Sequence, residues 1–305
     1  MFPVICKIGP IDFPAYLVTV AIIAGTGIAV LFVMACLGRI KREVITTVLF
    51  WVLFLAVAAM ILILTPITIY SYGLMLALAV VICTSMLVSE AGRKGIKADN
   101  ILDLVFWTVV GGIVGARIFY ILLNYQVFID HPYEMIMIQK GGLAWQGGLI
   151  FGGMTGASLV KRRKLFLPKV LDLCAPYLAL GQSIGRIGCF LNGCCYGKEV
   201  AGGVYFPVHD AYLHPTQLYL TAGLLMIFIV LKRYQESSTI PGLVFASYLI
   251  LTSVLRFGVE FYRADHDIIF FGLSVFQFVS VGILLFAFGF AYVMLIKHSN
   301  PEDSL

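Results

Sequence analysis

The amino-acid sequence predicts an all-α, polytopic transmembrane helix bundle. Of its 305 residues, 61% are hydrophobic and only 12% are charged, and the mean hydropathy is +0.98. Apolar stretches of about twenty residues recur along the chain, and each is long enough to cross a hydrocarbon core about 30 Å thick. The charged residues are too few to cover the surface of a soluble protein of this size, which excludes a soluble globular fold.

Nine apolar runs are predicted to cross the membrane as helices, because barrel strands would be shorter segments of about ten residues with alternating polarity. Two runs fall in residues 1–65 and seven in residues 66–298, and residues 299–305 form a cytoplasmic tail. We interpret the first part as two additional N-terminal spans and the second as a membrane domain. The predicted spans lie near 13–37, 45–65, 69–89, 101–123, 144–160, 171–190, 216–231, 241–261 and 272–296.

The basic residues between the spans predict the orientation of the chain. Short clusters of Lys and Arg follow the first, third, fifth, seventh and ninth spans, whereas the alternate connections carry few bases. By the positive-inside rule, the N-terminus lies outside and the C-terminus lies in the cytoplasm. The net charge of +5 is modest and is divided among these clusters, so the sequence predicts no nucleic-acid partner.

Three arginines lie inside apolar spans, where each costs about 2.5–3.5 kcal/mol near the bilayer centre. Arg117, Arg186 and Arg256 each precede the predicted outer end of a span by no more than two helical turns. They therefore form one layer, roughly 6–10 Å below the outer interface. One guanidinium group can bind two phosphate oxygens at once. The layer of arginines therefore predicts a site for an anionic phospholipid head group. The alternative is that the arginines pair internally or extend to the interface.

Further polar residues fall at the predicted outer ends of the spans. Tyr72 opens the third span and Gln146 opens the fifth, while Asn192 closes the sixth; His214 and Gln217 introduce the seventh. Polar side chains at this depth are expected to face a cavity rather than lipid.

Two more charged residues follow Arg256 on one helix face. Glu260 lies four residues after Arg256, and Arg263 lies three residues further on. This spacing predicts that the Glu260 carboxylate holds two guanidiniums in place. A polar, cationic pocket open to the outer leaflet follows from the set.

The segment GRIGCFLNGCCYG at residues 185–197 resembles the signature of the prolipoprotein diacylglyceryl transferase family. Five other blocks resemble family blocks in the same order, so the resemblance extends over roughly residues 66–298. These blocks are YGLM at 72–75, GARI at 115–118, GGL at 147–149, HPTQLY at 214–219 and RFGVEFYR at 256–263.

The resemblance implies an enzyme of the bacterial plasma (inner) membrane that acts at the outer leaflet. It would transfer the diacylglyceryl group from phosphatidylglycerol to the lipobox cysteine thiol of exported prolipoproteins and release glycerol phosphate. The implied partners are phosphatidylglycerol, a lipobox-containing prolipoprotein and membrane lipid. No metal or organic cofactor is implied, because the lipid supplies both the transferred group and the leaving phosphate.

The resemblance also assigns roles to particular residues. Arg186 and Arg256 would be the essential groups that handle phosphate, and Tyr72 would also be needed for catalysis. Asn192 and His214 complete the predicted catalytic set by positioning polar groups. The predicted substrate-binding residues are Arg117, Gln146, Gly197, Gln217, Glu260 and Arg263.

Three positions depart from the family pattern. The family commonly has a histidine where this chain has Gln146, and an amide cannot exchange a proton as imidazole does. Cys189 and Cys194 occupy the usual asparagine and glutamate positions of the signature. The alternatives are a divergent paralogue that binds lipid without catalysis, or a cysteine-based transfer to another acceptor. A transporter or channel is disfavoured, because the polar layer lies near the outer ends rather than the midplane and no inverted repeat is evident.

The cysteines of the signature leave several interpretations open. Cys189, Cys194 and Cys195 are candidate thiols, and Arg186 nearby would favour a thiolate nucleophile. A disulfide that includes Cys6 or a signature cysteine is an alternative. The spacing C-x4-C-C matches no zinc pattern strongly, so the sequence predicts no metal site.

Overall fold

The structure is a computed structural model, and it confirms a mostly helical chain. The first two predicted spans, 13–37 and 45–65, lie outside the described residues. The residues described are 4–8, 67–130, 132–136, 141–264, 268–270 and 272–299.

Eight α-helices account for most of the described residues. Residues Pro132–Ile136 add one turn of 3-10 helix. The α-helices are α1 Ser71–Arg93, α2 Ala98–Leu123, α3 Tyr125–Asp130, α4 Trp145–Arg162, α5 Leu167–Asn192, α6 Thr216–Ser237, α7 Leu243–Glu260 and α8 Val275–Ser299.

Five of the described helices are long and apolar enough to cross a membrane, namely α1, α2, α6, α7 and α8. Their large apolar side chains often face outwards, as Leu285 of α8 and Met226 of α6 do. Apolar side chains in contact with acyl chains carry no desolvation penalty, so this exposure fits a helix in lipid. Helices α4 and α5 correspond to the fifth and sixth predicted spans but are not among the five.

Short strands correct the prediction that the chain is all-α. Three antiparallel pairs form outside the long helices, and β-branched and aromatic residues, which favour strands, are frequent in their segments. The strands are β1 Val4–Ile8, β2 Ile67–Tyr70, β3 Glu199–Phe206, β4 Ala211–Leu213, β5 Ile268–Phe270 and β6 Leu273–Ser274, paired in that order.

The chain divides into two compact units, Phe2–Leu74 and Met75–Leu305 with Met1. The first contains β1, β2 and the first residues of α1. The second contains the remaining helices and the strand pairs β3–β4 and β5–β6.

Glycines bring α2 and α4 into close contact. A Cβ added to Gly115 would lie against Phe151 and 2.7 Å from the carbonyl oxygen of Gly147. An added Cβ on Gly152 would lie 3.2 Å from the carbonyl oxygen of Thr108. Glycines recur at four-residue intervals in these two helices, at 111 and 115 and at 148, 152 and 156, and this spacing lets the backbones pack closely, as in other membrane helix pairs.

A buried core joins α5, α6 and α7. It contains Ala175 and Ala179 of α5, Leu231 of α6, and Val244 and Tyr248 of α7. The two alanines let α5 approach its neighbours closely, while the larger side chains fill the space between them. This core packs the first halves of α5 and α7 together, and Arg186 and Arg256 follow later on the same two helices.

Polar contacts between helices add to this apolar core. The Asp172 carboxylate of α5 accepts hydrogen bonds from the backbone N–H groups of Gly242 (2.6 Å) and Phe245 (2.8 Å). It therefore caps the N-terminus of α7 from another helix. Lys232 of α6 forms an ion pair with Glu90 of α1 at 2.7 Å.

Replacing Gly147 with alanine is expected to destabilise the α2–α4 pair. The added Cβ would lie against Phe119 and the backbone of Gly115, and overpacking of this kind costs about 1–3 kcal/mol. The melting temperature of the purified protein in detergent should therefore fall.

Gly153→Ala in the same helix is the matched control. In the described part of the chain, nothing lies within 4 Å of its added Cβ, and alanine favours a helix over glycine by about 1 kcal/mol. Equal melting temperatures for the two variants would contradict the packing interpretation.

Candidate functional site

A buried carboxylate lies between two guanidiniums at the end of α7. Glu260 Oε2 is 3.5 Å from Arg256 Nη2 and 4.0 Å from Arg263 Nε. The other carboxylate oxygen, Oε1, accepts a hydrogen bond of 2.9 Å from Ser274 Oγ. The contacts predicted from the spacing of these three charged residues are therefore present.

Arg256 keeps hydrogen-bonding capacity beyond its ion pair. Its Nη1 atom is buried and has no hydrogen-bond partner within the described residues. The guanidinium lies 5.3 Å from the ring centroid of Phe276, in a cation–π contact. A buried donor without an acceptor is costly, so this atom is suited to receive an oxygen of a bound ligand.

Arg186 adds a third guanidinium near the other two. It lies on α5, six residues before the helix ends, and its charge acts on Arg256 together with those of Arg263 and Glu260. In the described part of the chain, Arg186 forms neither a hydrogen bond nor an ion pair. Two guanidiniums share the carboxylate of Glu260, and with the charge of Arg186 acting on Arg256 the group has a net positive charge, which an anionic group would neutralise.

The segment after α5 is fixed by side chains from the first turn of α6. Gly193 ends α5 in the left-handed conformation, with φ of 75°. The Gln217 amide donates to the carbonyl of Cys194 at 2.6 Å, and the Thr216 hydroxyl donates to that of Cys195 at 2.7 Å. Both side chains are fully buried. Gln217 is thus a residue that holds the loop, and its predicted contact with substrate stays a prediction.

Gly197 lies where three chain segments meet. Its N–H donates to the carbonyl of His214 at 3.0 Å, and it forms an isolated β-bridge with Arg263. An added Cβ would be 2.5 Å from the His214 Cβ and 2.6 Å from the Tyr262 carbonyl oxygen. Only glycine allows this approach, so the structure explains a need for Gly197 through backbone packing. Its predicted role in binding substrate stays a prediction.

The three cysteines of the segment lie together. The Sγ atoms of Cys189, Cys194 and Cys195 are all within 4.8 Å of one another, and all three thiols are free. Cys195 adopts a positive φ of 61°, which is uncommon for a residue other than glycine. The alternative disulfide with Cys6 concerns a side chain outside the described residues.

The surroundings of Cys195 favour its thiolate form. Hydrogen bonds from the other two thiols lower the pKa of Cys195 below its ordinary value and outweigh the opposing effect of burial. The positive charges of Arg263 and Arg186 lower this pKa further. The cluster therefore lies beside the cationic part of the site.

His214 belongs to an aromatic group that sequence reasoning did not include in the site. Its Nδ1 atom is 3.1 Å from the Tyr219 hydroxyl, and its ring centroid is 5.3 Å from that of Tyr262. Tyr219 lies in the block 214–219 and Tyr262 in the block 256–263. Their place in these family-like blocks was the signal that could have identified them. Asn192 is the last residue of α5 and interacts with the Cys194 thiol.

Arg117 differs from the other predicted site arginines in its partners. Its guanidinium donates four hydrogen bonds, all to backbone carbonyls between residues 134 and 142, at 2.5–3.0 Å. These bonds use four of its five N–H groups, so the structure gives Arg117 a role in fixing this loop. The predicted role of Arg117 in binding substrate stays a prediction.

The remaining predicted residues lie at helix starts. Gln146 is exposed in the first turn of α4. Tyr72 is 42% exposed in the first turn of α1, within the unit Phe2–Leu74. Their catalytic and binding roles stay predictions.

Within the segment 191–214, which contains Gly202 and Gly203, the strands β3 and β4 form a hairpin. Strands β3 and β4 pair through Tyr205 with Tyr212 and Phe206 with Ala211. The Phe206 side chain is fully buried and packs edge-to-face on Phe190 of α5, with 5.9 Å between the ring centroids. The hairpin is thereby anchored to the helix that carries Arg186.

Comparison with known proteins gives a consistent result. The family model of prolipoprotein diacylglyceryl transferase matches residues 58–294. A phosphatidylglycerol–prolipoprotein diacylglyceryl transferase of Clostridium tetani is 34% identical over 230 residues, which are 72% of this chain and 92% of that protein. A protein of the same name from Halalkalibacterium halodurans is 33% identical, and the match covers 72% of this chain and 80% of that protein. Another, from Bacillus cereus, is 34% identical, and the match covers 75% of this chain and 88% of that protein.

Replacing Glu260 with glutamine is expected to lower the free energy of unfolding by about 3 kcal/mol. Removing one partner of a buried ion pair leaves the other charges uncompensated, and here both Arg256 and Arg263 lose the carboxylate. Thermal unfolding in detergent measures the effect.

Glu199→Gln removes the same charge from an exposed position on β3 and serves as the control. Stability changes of equal size in the two variants would show that the Glu260 carboxylate does not stabilise the guanidiniums.

Proposed function

The chain belongs to the prolipoprotein diacylglyceryl transferase family and is a transferase, and from this premise we propose a specific reaction for it. The diacylglyceryl group of phosphatidylglycerol passes to the lipobox cysteine thiol of an exported prolipoprotein, at the outer leaflet of the plasma membrane. Glycerol phosphate is the leaving product. The names of the relatives, which state this donor and this acceptor, support the proposal.

The observation that carries the proposal is an excess of positive charge at Arg256: this arginine shares the one carboxylate of Glu260 with Arg263, and the charge of Arg186 acts on it as well. Arg186 has no acidic partner in the described chain, and Arg256 keeps a buried Nη1 without an acceptor. A phosphate diester brings one negative charge into such a site, and a departing phosphate monoester brings more. Because the second charge develops during the reaction, guanidiniums beside the leaving group stabilise the transition state more than the bound lipid.

The reaction forms one bond and breaks one. The acceptor sulfur bonds to the methylene carbon of the diacylglyceryl group, while the bond between this carbon and the phosphate oxygen breaks. The electron pair of the broken bond leaves with glycerol phosphate, which Arg186 and Arg256 receive. The acceptor thiol loses its proton before or during the attack; Gln146 cannot take it, so the proton passes to the departing phosphate or to water.

The other site residues support these two arginines. Glu260 holds Arg256 in place through an ion pair, and it pairs with Arg263 as well. His214 and Asn192 lie at the edges of the segment 193–214 and are suited to position lipid or peptide groups there. Tyr72 completes the proposed catalytic set.

We propose nine membrane spans, with residues 1–65 as two additional spans before the family domain of 66–298. In this arrangement the N-terminus lies outside, the tail 299–305 lies in the cytoplasm, and Arg186 and Arg256 lie near the outer leaflet. The five apolar helices α1, α2, α6, α7 and α8 support a polytopic protein of the bacterial inner membrane.

Arg186→Ala and Arg256→Ala are each expected to reduce the release of glycerol phosphate by at least about 100-fold, since loss of one group that stabilises transition-state charge has this effect in other enzymes. The assay uses purified protein, phosphatidylglycerol with labelled glycerol phosphate, and a lipobox peptide. Arg186→Lys should recover part of the activity, because it keeps the charge but loses the planar fork.

Arg233→Ala is the matched control, because Arg233 is an exposed arginine near the end of α6. It should retain the activity of the unaltered protein. A protein with both Arg186 and Arg256 replaced that still releases glycerol phosphate would contradict the proposed roles.

The proposed orientation predicts the behaviour of reporter fusions. Green fluorescent protein fused after Leu305 should fluoresce, because it stays in the cytoplasm, and alkaline phosphatase fused there should be inactive. Alkaline phosphatase inserted in the β3–β4 turn at residues 207–210 should be active. The opposite pattern of activities would overturn the orientation.

A further inference from the structure

Three thiols converge beside the cationic site, and two of them, Cys189 and Cys194, occupy positions where the family resemblance implies other residue types. We propose that Cys189, Cys194 and Cys195 bind one zinc ion through their three sulfur atoms and leave its fourth coordination position open. The spacing in the sequence favoured no metal site, whereas in the structure the three Sγ atoms all lie within 4.8 Å of one another.

The positions of the sulfur atoms suit a tetrahedral ion. Zn–S bonds of about 2.3 Å in a tetrahedral site place the sulfur atoms about 3.8 Å apart. The separations in the structure exceed this value by about 1 Å at most. Rotation about the side-chain bonds of Cys194 and Cys195, both half-buried, covers such a difference without movement of the backbone.

The backbone that carries the thiols is already fixed. Cys189 lies in the last turn of α5, and the left-handed Gly193 turns the chain back so that the N–H of Cys194 donates to the carbonyl of Cys189 at 3.1 Å. Gln217 and Thr216 then hold the next two carbonyls at 2.6 and 2.7 Å. The three thiols therefore converge without the ordering cost that a flexible metal loop would pay.

Charge also favours this ion. A divalent cation with three thiolates carries a net charge of −1, which is unfavourable near a membrane unless cations lie beside it. Arg186 and Arg263 are close enough for their charges to act at Cys195. A soft, d10 divalent ion that prefers sulfur ligands matches this environment better than a hard ion such as Mg²⁺.

No fourth protein ligand is apparent among the described residues. The described metal-ligand group comprises the three cysteines alone. His209 Nε2 lies 3.0 Å from the carbonyl oxygen of Gly193, and this contact occupies the nitrogen that could otherwise bind the ion. Three protein ligands with one open position are typical of catalytic rather than structural zinc sites.

The open position suggests which group the ion would take, and this step rests on the proposed function. The acceptor thiol would bind zinc as a thiolate and release its proton to water. Its sulfur would then attack the methylene carbon of the diacylglyceryl group, as the carbon–oxygen bond to phosphate breaks and the electron pair leaves with glycerol phosphate. Zinc remains Zn²⁺ throughout, and it supplies the activation that Gln146 cannot provide.

The test measures metal binding by the purified full-length protein, independently of transfer. Elemental analysis after dialysis against zinc should give about one ion per chain. Replacement with Co²⁺ should give thiolate-to-cobalt charge-transfer bands and the d–d bands of a tetrahedral site. Cys194→Ser and Cys195→Ser should each lower the zinc affinity at least about tenfold.

Cys83→Ser and Cys174→Ser are the controls, because both thiols lie elsewhere in the helices. They should leave the metal content unchanged. Circular dichroism and size-exclusion chromatography verify that each variant is folded, and Cys195→Ser, at a half-buried position, decides the result if Cys194→Ser does not fold.

Three results would overturn the zinc site: a protein that binds no zinc, zinc binding that survives replacement of Cys194 and Cys195, or a disulfide between two of the three thiols in the protein isolated without reductant. The transferase assay separates this proposal from the proposed function. If the protein binds zinc but transfers nothing, the metal site stands and the proposed reaction is rejected. If the metal-free protein still transfers the diacylglyceryl group, the reaction stands and the role of zinc in it is rejected.

Discussion

A buried arginine near the end of a membrane helix is stable only where acceptor groups lie beside it, and for Arg256 and Arg263 the Glu260 carboxylate is such an acceptor. It contacts Arg256 and Arg263, and the hydroxyl of Ser274 in strand β6 donates a hydrogen bond to it. The charge of Arg186 on α5 also acts on Arg256, and Arg186 has no acidic partner in the described chain. The site is therefore stable but not neutral, and its remaining positive charge is available for a substrate anion.

The second requirement is a backbone that keeps the segment after α5 against these charges. Gly193 ends the helix, Gly197 lets the chain pass His214 and Tyr262, and the buried Gln217 and Thr216 bind the intervening carbonyls. Backbone polar groups at this depth must be satisfied within the protein, so a loop is tolerated only in such a fixed form. The same hydrogen bonds bring three thiols to the edge of the guanidinium group.

Contacts within one helix or between apolar runs followed from the sequence. The spacing of Arg256, Glu260 and Arg263 placed their charges on one face, and the apolar runs from residue 69 onwards became helices. Contacts that depend on the path of a loop did not follow. Arg117 binds the carbonyls of Glu134, Met135, Gly141 and Gly142. The cysteines converge through a left-handed turn. Hydropathy and spacing carry no information on the path of either loop.

The transfer itself is tested most directly by mass spectrometry of a lipobox peptide incubated with phosphatidylglycerol and the purified full-length protein. If the guanidinium site serves transfer to a thiol, the peptide gains one diacylglyceryl group on its cysteine, and a peptide with serine in place of that cysteine gains none. A cysteine peptide that stays unmodified while the protein binds phosphatidylglycerol would contradict the reaction and identify a lipid-binding protein instead.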